Sequence, residues 1–176
     1  AKGTFVSTPS ANLEQIKTEE AFREMVIQQG AVPSTQVLSM EVLDADEKIA
    51  ELLEMPQKTR VIRVKRLRSA NDKPISINTS YMPYALCSFV LEYPLETVGL
   101  HHVLGQRYDT RIYRSTRKME ARISSQEEAD LLQTEPDSVV QCMTRRSYNR
   151  TNMIVEATFA IYRGDFELSF DTVVDK

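Results

Sequence analysis

Hydrophobic residues recur along the chain with two spacings, one typical of helices and one typical of strands. Helical spacing predicts a first helix between Thr18, an expected N-cap, and Gly30, and a second between Asp46 and Pro56. Further helices are predicted over residues 84–91, over 98–108 and after Ser125, where acidic residues three positions on form a capping box. Alternating apolar positions predict strands over 36–43, 61–67, 75–81, 111–123, 139–148, 154–162 and 166–170.

One order of elements occurs twice in this pattern. Residues 52–75 run from a helix through a proline to a strand, a turn and a second strand, and residues 131–154 repeat that order. In this repeat Arg66 is matched by Arg145 or Arg146. The strands occur in short runs between non-adjacent helices, which argues against a parallel, doubly wound sheet. The sequence therefore predicts an α+β fold, with a pseudo-symmetric antiparallel sheet and flanking helices.

The composition is that of one ordered globular domain. The chain has 176 residues, a net charge of −3, 41% hydrophobic residues and 27% charged residues. No apolar run approaches the ~20 residues of a membrane helix, and no signal-peptide core stands at the N-terminus, so a cytoplasmic location without membrane contact is expected. The mild acidity argues against a domain that binds nucleic acid by itself, because the phosphate backbone requires a concentrated basic surface.

Metal, nucleotide and nucleophile motifs are missing from the sequence. The cysteines are Cys87 and Cys142, the histidines are the adjacent His101 and His102, and their spacing matches no zinc site. The five glycines form no phosphate-binding loop and no nucleophile elbow. We therefore expect no metal and no cofactor, and the sequence contains no signature of enzymatic chemistry.

Two arginines on one predicted strand are the first candidate for a binding site. Alternation places Arg66 and Arg68 on the same face of the strand, about 6.5–7 Å apart. Two guanidinium groups at that distance suit a phosphate or a carboxylate, because each donates charge-assisted hydrogen bonds. The same pair would also suit an ordinary solvated sheet edge.

The polar faces of the returning strands are the second candidate. One strand places Asn78 between two serines on one face, and another places Glu156 and Tyr162 on the same face as Thr158 and Ala160. The opposite face of that second strand is predicted to be core and consists of Val155, Ala157, Phe159 and Ile161. The polar face could form the floor of a pocket for a hydroxylated ligand, or it could face water.

Several ordered segments resemble the UTRA effector-binding domain of GntR-type bacterial transcription regulators of the HutC subfamily. The resemblance covers residues 18–172 and keeps the family's spacing. A second resemblance lies in residues 2–6 (KGTFV), which are similar to the end of the wing in a GntR winged helix. The matching segments are 66–75 (RLRSANDKPI), 80–83 (SYMP), 99–101 (GLH), 108–112 (YDTRI), 154–156 (IVE) and 162–166 (YRGDF).

The resemblance implies a chorismate-lyase-like fold that binds a small effector and forms a homodimer through its sheet. Residues 1–17 would be the end of the wing and the interdomain linker, and 18–176 the effector-binding domain. DNA would be bound only through a winged-helix domain that this chain lacks. The effector is expected to be anionic: a sugar phosphate, a phosphonate or an organic acid. The alternative is a lyase-like enzyme acting on a small carboxylic acid, because the fold is shared with such an enzyme.

The resemblance also assigns ligand contacts, with three departures. Arg66, Arg68, Glu156 and Tyr162 match residues that contact the ligand in members that sense sugar phosphates. Gly99 replaces a serine before a helix, His101 replaces a tyrosine and Asn78 replaces a glutamate. Gly99 retains backbone N–H groups at a helix start, which can bind an anion. The loss of a carboxylate and a phenol points to an effector other than a common amino-sugar phosphate.

Overall fold

A computed structural model describes residues 20–167, and in this range the chain forms one six-stranded antiparallel sheet with helices on both faces. A 3₁₀ turn over Ser88–Glu92 directly follows the short helix Tyr84–Cys87. The remaining elements are α1 (Glu20–Gln28), β1 (Pro33–Asp44), α2 (Glu47–Leu53), β2 (Arg60–Ala70), β3 (Lys73–Pro83), α3 (Tyr84–Cys87), α4 (Leu100–Gly105), β4 (Arg114–Ile123), α5 (Gln126–Leu132), β5 (Val139–Tyr148) and β6 (Ile154–Arg163).

Local sequence signals explain where several elements begin. The Asp46 carboxylate accepts a hydrogen bond of 2.8 Å from the Ile49 N–H and caps α2. Ser125 caps α5 in the predicted capping box. The tight turn between β2 and β3 places Asn71 and Asp72 at φ 48° and 61°, a left-handed conformation that these two residue types tolerate better than most.

The predicted repeat is present in the sheet. The strand order is β1-β2-β3-β6-β5-β4, so the unit β1-α2-β2-β3 is followed by a second unit, β4-α5-β5-β6, in mirrored order. The correspondence extends to the helix ends, since α2 and α5 are both followed by a left-handed residue, Glu54 at φ 54° and Gln133 at φ 52°. The α+β fold with a pseudo-symmetric antiparallel sheet is confirmed.

Helices cover the two faces of the sheet differently. Helices α2 and α5 pack on one face, where Leu53 contacts the cluster around Val61 and Leu132 contacts the cluster around Ile77. The other face carries α3, the 3₁₀ turn and α4, whose apolar residues pack against Ile62, Val64 and Met82. Because β2 and β6 are interior strands, side chains on both of their faces are largely covered.

Two elements differ from the sequence-based expectation. The helix predicted over 98–108 is shorter, because the Thr110 hydroxyl and the Arg111 guanidinium donate to the carbonyls of Leu104 and Gly105 and end α4 there. Of the strand predicted over 166–170, the structure describes only Phe166 and Glu167, and neither residue lies in a strand. The expected N-cap Thr18, the predicted linker 1–17 and residues 168–176 lie outside the described range.

No helix within residues 20–167 is long and apolar enough to cross a membrane.

Candidate functional site

Arg66 and Arg68 lie on an interior strand and are almost completely buried. β2 pairs with β1 on one side and β3 on the other, and the two residues are 2% and 9% exposed. The interpretation as a solvated sheet edge is therefore wrong. Burying two positive charges of the same sign is costly unless something in the structure or a ligand compensates for them.

A depression that is open to solvent lies beside the two arginines. Its lining brings Arg66 and Arg68 together with Gly99 at the start of α4, and Glu96 and Thr97 belong to the same lining. The Arg68 guanidinium also lies 5.1 Å from the centre of the Phe22 ring, so α1 helps to hold it in place. Two guanidinium groups and the start of a helix therefore meet at one surface opening.

Asn78 and Tyr162 are close to the arginines in the sheet but do not line the depression. Asn78 lies directly opposite Arg66, and its amide donates a hydrogen bond of 2.9 Å to the Ser76 hydroxyl. Tyr162 lies opposite Ser76 on β6, and its ring stacks on Phe166 with a centroid distance of 6.0 Å.

Glu156 and His101 lie in a second cluster, named here the Glu156 cluster. The cluster is formed by Glu156 and five side chains that contact its carboxylate. The His101 Nε2 lies 2.9 Å from Glu156 Oε2, and the Arg145 Nη2 donates to both carboxylate oxygens at 3.1 and 3.0 Å. The other members are the hydroxyl groups of Ser80, Ser147 and Thr158, at 3.1, 3.0 and 2.7 Å.

Electrostatics keep the Glu156 carboxylate ionised. Glu156 is fully buried, and burial by itself raises the pKa of a carboxyl group. The positive charge of Arg145 and the contacts from His101 and Thr158 outweigh burial and hold the pKa of Glu156 well below its usual range. Within the described residues, His101 Nδ1 and Arg145 Nε are buried without a hydrogen-bond partner.

The structure thus brings five of the seven expected ligand residues into two separate groups, and Asn78 and Tyr162 belong to neither. Arg66, Arg68 and Gly99 meet at the depression, whereas His101 and Glu156 meet in the Glu156 cluster. Ala160 lies in register with Asn78 and Arg66, and Glu156 is four residues away along β6, or about 13 Å.

Arg145 is a member that sequence reasoning did not include among the site residues. The repeat matched Arg66 with Arg145 or Arg146, but neither position received a role. Arg145 points to the Glu156 cluster, whereas Arg146 is on the opposite sheet face and contacts Glu54 at 3.2 Å. Alternation relative to Glu156 on the neighbouring strand would have distinguished them, had the register of β5 and β6 been known.

The burial of β6 also differs from expectation in one respect. Its polar row is covered, with Glu156 at 0% and Thr158 at 2% exposure, so this row does not face water. On the opposite face, Val155 and Ala157 are buried as predicted, but Phe159 is 40% exposed. The prediction of core burial is wrong for Phe159, which packs against the edge of the Tyr81 ring and retains an exposed surface.

A metal site would require grouped ligands among the described residues, and Cys87 as a nucleophile would require a reactive thiol. No group of three or more His, Cys, Asp or Glu side chains in residues 20–167 is arranged to hold a metal ion. Cys87 is buried, and burial raises the pKa of its thiol to about 12, with the nearby Glu156 charge acting in the same direction. A thiol with this pKa is not a nucleophile at neutral pH.

Sequence comparisons find relatives among transcription regulators. The HTH-type transcriptional repressor NagR of Bacillus subtilis is 26% identical over 165 residues, which are 93% of this chain and 67% of NagR. The uncharacterized HTH-type regulator YurK of the same organism is 28% identical over 131 residues, 74% of this chain and 54% of YurK. The chain therefore spans between about half and two thirds of these relatives.

Solved structures share the fold. PhnF from Mycobacterium smegmatis superposes with a TM-score of 0.79 at 20% identity, covering 88% of this chain and 68% of PhnF. The C-terminal domain of the histidine utilization repressor from Pseudomonas syringae has a TM-score of 0.73 at 17% identity, covering 81% of this chain and 99% of that domain.

A family model gives the identification. The model described as the UTRA domain matches residues 28–166, which include the complete sheet. The match also contains the depression residues Arg66, Arg68 and Gly99 as well as the Glu156 cluster. The chain therefore belongs to the UTRA domain family, the effector-domain family of GntR-type transcription regulators.

Proposed function

We propose that this chain is the effector-sensing and dimerisation domain of a GntR/HutC-type regulator, and that its effector is a small anionic metabolite. The observation that carries the proposal is the placement of two buried guanidinium groups, Arg66 and Arg68, beside the start of α4 at one opening. Arginine pairs suit carboxylates and phosphates, because each guanidinium group donates charge-assisted hydrogen bonds.

The proposed regulatory step is the one expected for a member of this family. Residues 1–17 would connect this domain to a winged-helix domain that binds DNA, and effector binding would change the affinity or spacing of two such domains in a homodimer. Regulation of this kind requires that the effector binds one arrangement of the dimer more tightly than another.

Binding of phosphate esters by variants of one strand tests the proposal. Sorbitol 6-phosphate, titrated into the chain by calorimetry, should bind the wild type and should lose most of its affinity when Arg66→Gln and Arg68→Gln are combined. The matched control is Arg63→Gln, which removes a positive charge from the opposite face of β2, where Arg63 contacts Glu41. Equal affinities in the double variant and the control would refute the anion site.

The exposed strand β4 supports dimerisation. β4 pairs with β5 on one side and is a sheet edge on the other, and most of its side chains are exposed. Met119 and Ile123 are 41% and 52% exposed on this strand, and an exposed apolar sheet edge is a template for pairing with another chain. A second copy of the chain that pairs along β4 would bury both of them.

The proposal assigns the chain no catalytic step. Its relatives are transcription regulators, and the thiol of Cys87 is not a nucleophile at neutral pH. A lyase would consume its ligand, so recovery of the ligand unchanged after incubation distinguishes the two functions.

A further inference from the structure

The outer edge of β4 has backbone groups that pair with no other strand of the described chain. Between residues 20 and 167, β4 pairs with β5 on one side and has no neighbour on the other. Ser124, which continues the register of β4 with β5, donates its N–H to the Ser138 carbonyl. Because backbone groups alternate in direction along an antiparallel strand, even-numbered residues of β4 bond to β5 and odd-numbered residues direct their N–H and C=O groups outwards. The odd-numbered residues, among them Met119, are therefore the ones that a further strand would bond to.

The direction of these backbone groups limits how two copies of β4 can pair. In an antiparallel ladder, the two residues of a bonded pair direct their backbone groups towards each other. An odd-numbered residue must therefore lie opposite an odd-numbered residue of the second copy. Since paired residues also point their side chains to the same face, the two-fold axis is perpendicular to the sheet. The sheets of the two copies then form one continuous sheet, with both α4 helices on the same side.

Charge limits the residue of β4 at which this axis can lie. Opposite charges directly across a ladder stabilise pairing, and like charges oppose it. An axis at one of four residues would bring a charged side chain opposite its own copy: Arg117, Lys118, Glu120 and Arg122. An axis at Met119 instead brings an apolar side chain, which is 41% exposed, opposite itself. The same register brings Lys118 of each copy opposite Glu120 of the other, with Cα atoms about 4.5 Å apart.

The remaining alternative is an axis at Ala121. It would pair only residues 119–123, because β4 ends there, whereas an axis at Met119 pairs almost the whole strand. Its charge pairs would also require Arg122, which already donates two hydrogen bonds of 2.7 Å to the Glu128 carboxylate. An axis nearer to either end of β4 pairs no more residues than the axis at Ala121 does.

We propose that two copies of the chain pair antiparallel along β4 about a two-fold axis at Met119, with two reciprocal ion pairs between Lys118 and Glu120. Within one copy these two charged side chains lie 3.7 Å apart and are 79% and 60% exposed, so both are accessible to a second copy. This inference rests on the dimerisation along β4 in the proposed function, and it adds the register, the symmetry and the residues that select the partner.

Disulfide formation across the axis tests the register. A disulfide requires Cα atoms about 4.4–6.8 Å apart, and the two copies of Met119 lie opposite each other at about 5.5 Å. With oxidised glutathione, Met119→Cys should therefore form a covalent dimer on a non-reducing gel. The matched controls are Arg117→Cys and Ala121→Cys, which share its sheet face but lie about 13 Å along the strand from their own copies. Each control should form no more covalent dimer than the wild type, which contains Cys87 and Cys142.

Charge reversal tests the ion pairs without an introduced cysteine. Lys118→Glu and Glu120→Lys each place like charges opposite each other twice, and each should weaken the dimer roughly tenfold in sedimentation equilibrium. A mixture of the two variants restores opposite charges at both pairs, so it should dimerise as tightly as the wild type. Lys48→Glu makes the same charge change at an exposed position of α2 and should leave the dimer affinity unchanged. If the mixture dimerises no more tightly than either variant alone, the ion pairs are wrong.

The outcomes separate this inference from the proposed function. A chain that sediments as a dimer, but in which Met119→Cys forms no disulfide or Arg117→Cys or Ala121→Cys forms one, would refute the register and leave dimerisation standing. A wild-type chain that sediments as a monomer would refute dimerisation and this inference together. The effector site is tested independently by the binding of phosphate esters.

Discussion

Replacement of Arg145 by glutamine tests whether the charge of Arg145 keeps the buried Glu156 carboxylate ionised. Arg145→Gln removes the charge that keeps the fully buried Glu156 ionised, while a side chain that can form hydrogen bonds remains. Breaking a buried ion pair by removing one partner costs about 3–5 kcal/mol, because the other charge stays buried without compensation. Since 14% of the Arg145 side chain is exposed, we expect a loss near the lower end, about 3 kcal/mol at pH 7.

The pH dependence of the free energy of unfolding is a more specific test than its value at pH 7. In the wild type the pKa of Glu156 in the folded state lies well below the unfolded value of 4.5, so its stabilising contribution is present above pH 4.5 and is lost as the pH falls. In Arg145→Gln the strongest cause that lowers this pKa is removed while burial remains, so we expect the pKa of Glu156 to rise above the unfolded value. The variant therefore becomes more stable, relative to the wild type, as the pH falls from 7 towards 4.5.

Urea unfolding at pH 7 and pH 5 measures both effects. The matched control is Arg146→Gln, the next residue on β5, whose partner Glu54 has a side chain that is 62% exposed. A surface pair of this kind contributes about 0–1 kcal/mol. The reasoning is refuted if Arg145→Gln costs no more than Arg146→Gln, or if the difference between Arg145→Gln and the wild type is the same at both pH values.

Two further substitutions test the helices and the sheet edge. Ser125→Ala removes the hydroxyl that accepts from the Glu128 N–H at 3.3 Å, and the free energy of unfolding in urea should fall by about 1 kcal/mol; an unchanged midpoint would show that this cap adds nothing. Met119→Lys places a charge in the exposed centre of β4 and should shift the chain from dimer to monomer in sedimentation velocity. A variant that sediments as the wild type does would exclude β4 as the dimer surface.

Signals within a few residues made most of the fold predictable from the sequence. Asp46 and Ser125 begin their helices through hydrogen bonds to N–H groups three residues ahead, and both signals are readable from the residue types. The hairpins were predicted from alternation and turn residues, and the repeat gave their pseudo-symmetry. The length of α4 was not predictable, because the carbonyls at its end are bonded by Thr110 and Arg111 after the chain folds back.

For the candidate site, strand alternation predicted the sheet face of each residue but not its burial or its contacts. Alternation correctly placed Arg66 and Arg68 on one face, but their burial depends on the neighbouring strands and, for Arg68, on the Phe22 ring of α1. The contact between Arg145 and Glu156 requires the register of β5 and β6, and the contact of His101 requires the packing of α4 on the sheet. Neither arrangement has a local signal.

The connection between the two halves of the sheet passes through α4. Gly99, immediately before this helix, lines the depression, and His101, within its first turn, contacts Glu156 and Arg145 at 2.9 and 2.7 Å. An effector bound beside Gly99 would therefore act on an element that is anchored, two residues later, to β5 and β6. A displacement of α4 would change the contacts of His101 with Glu156 and Arg145. β5 pairs directly with β4, so the Glu156 cluster would lie between the proposed effector site and the proposed dimer surface.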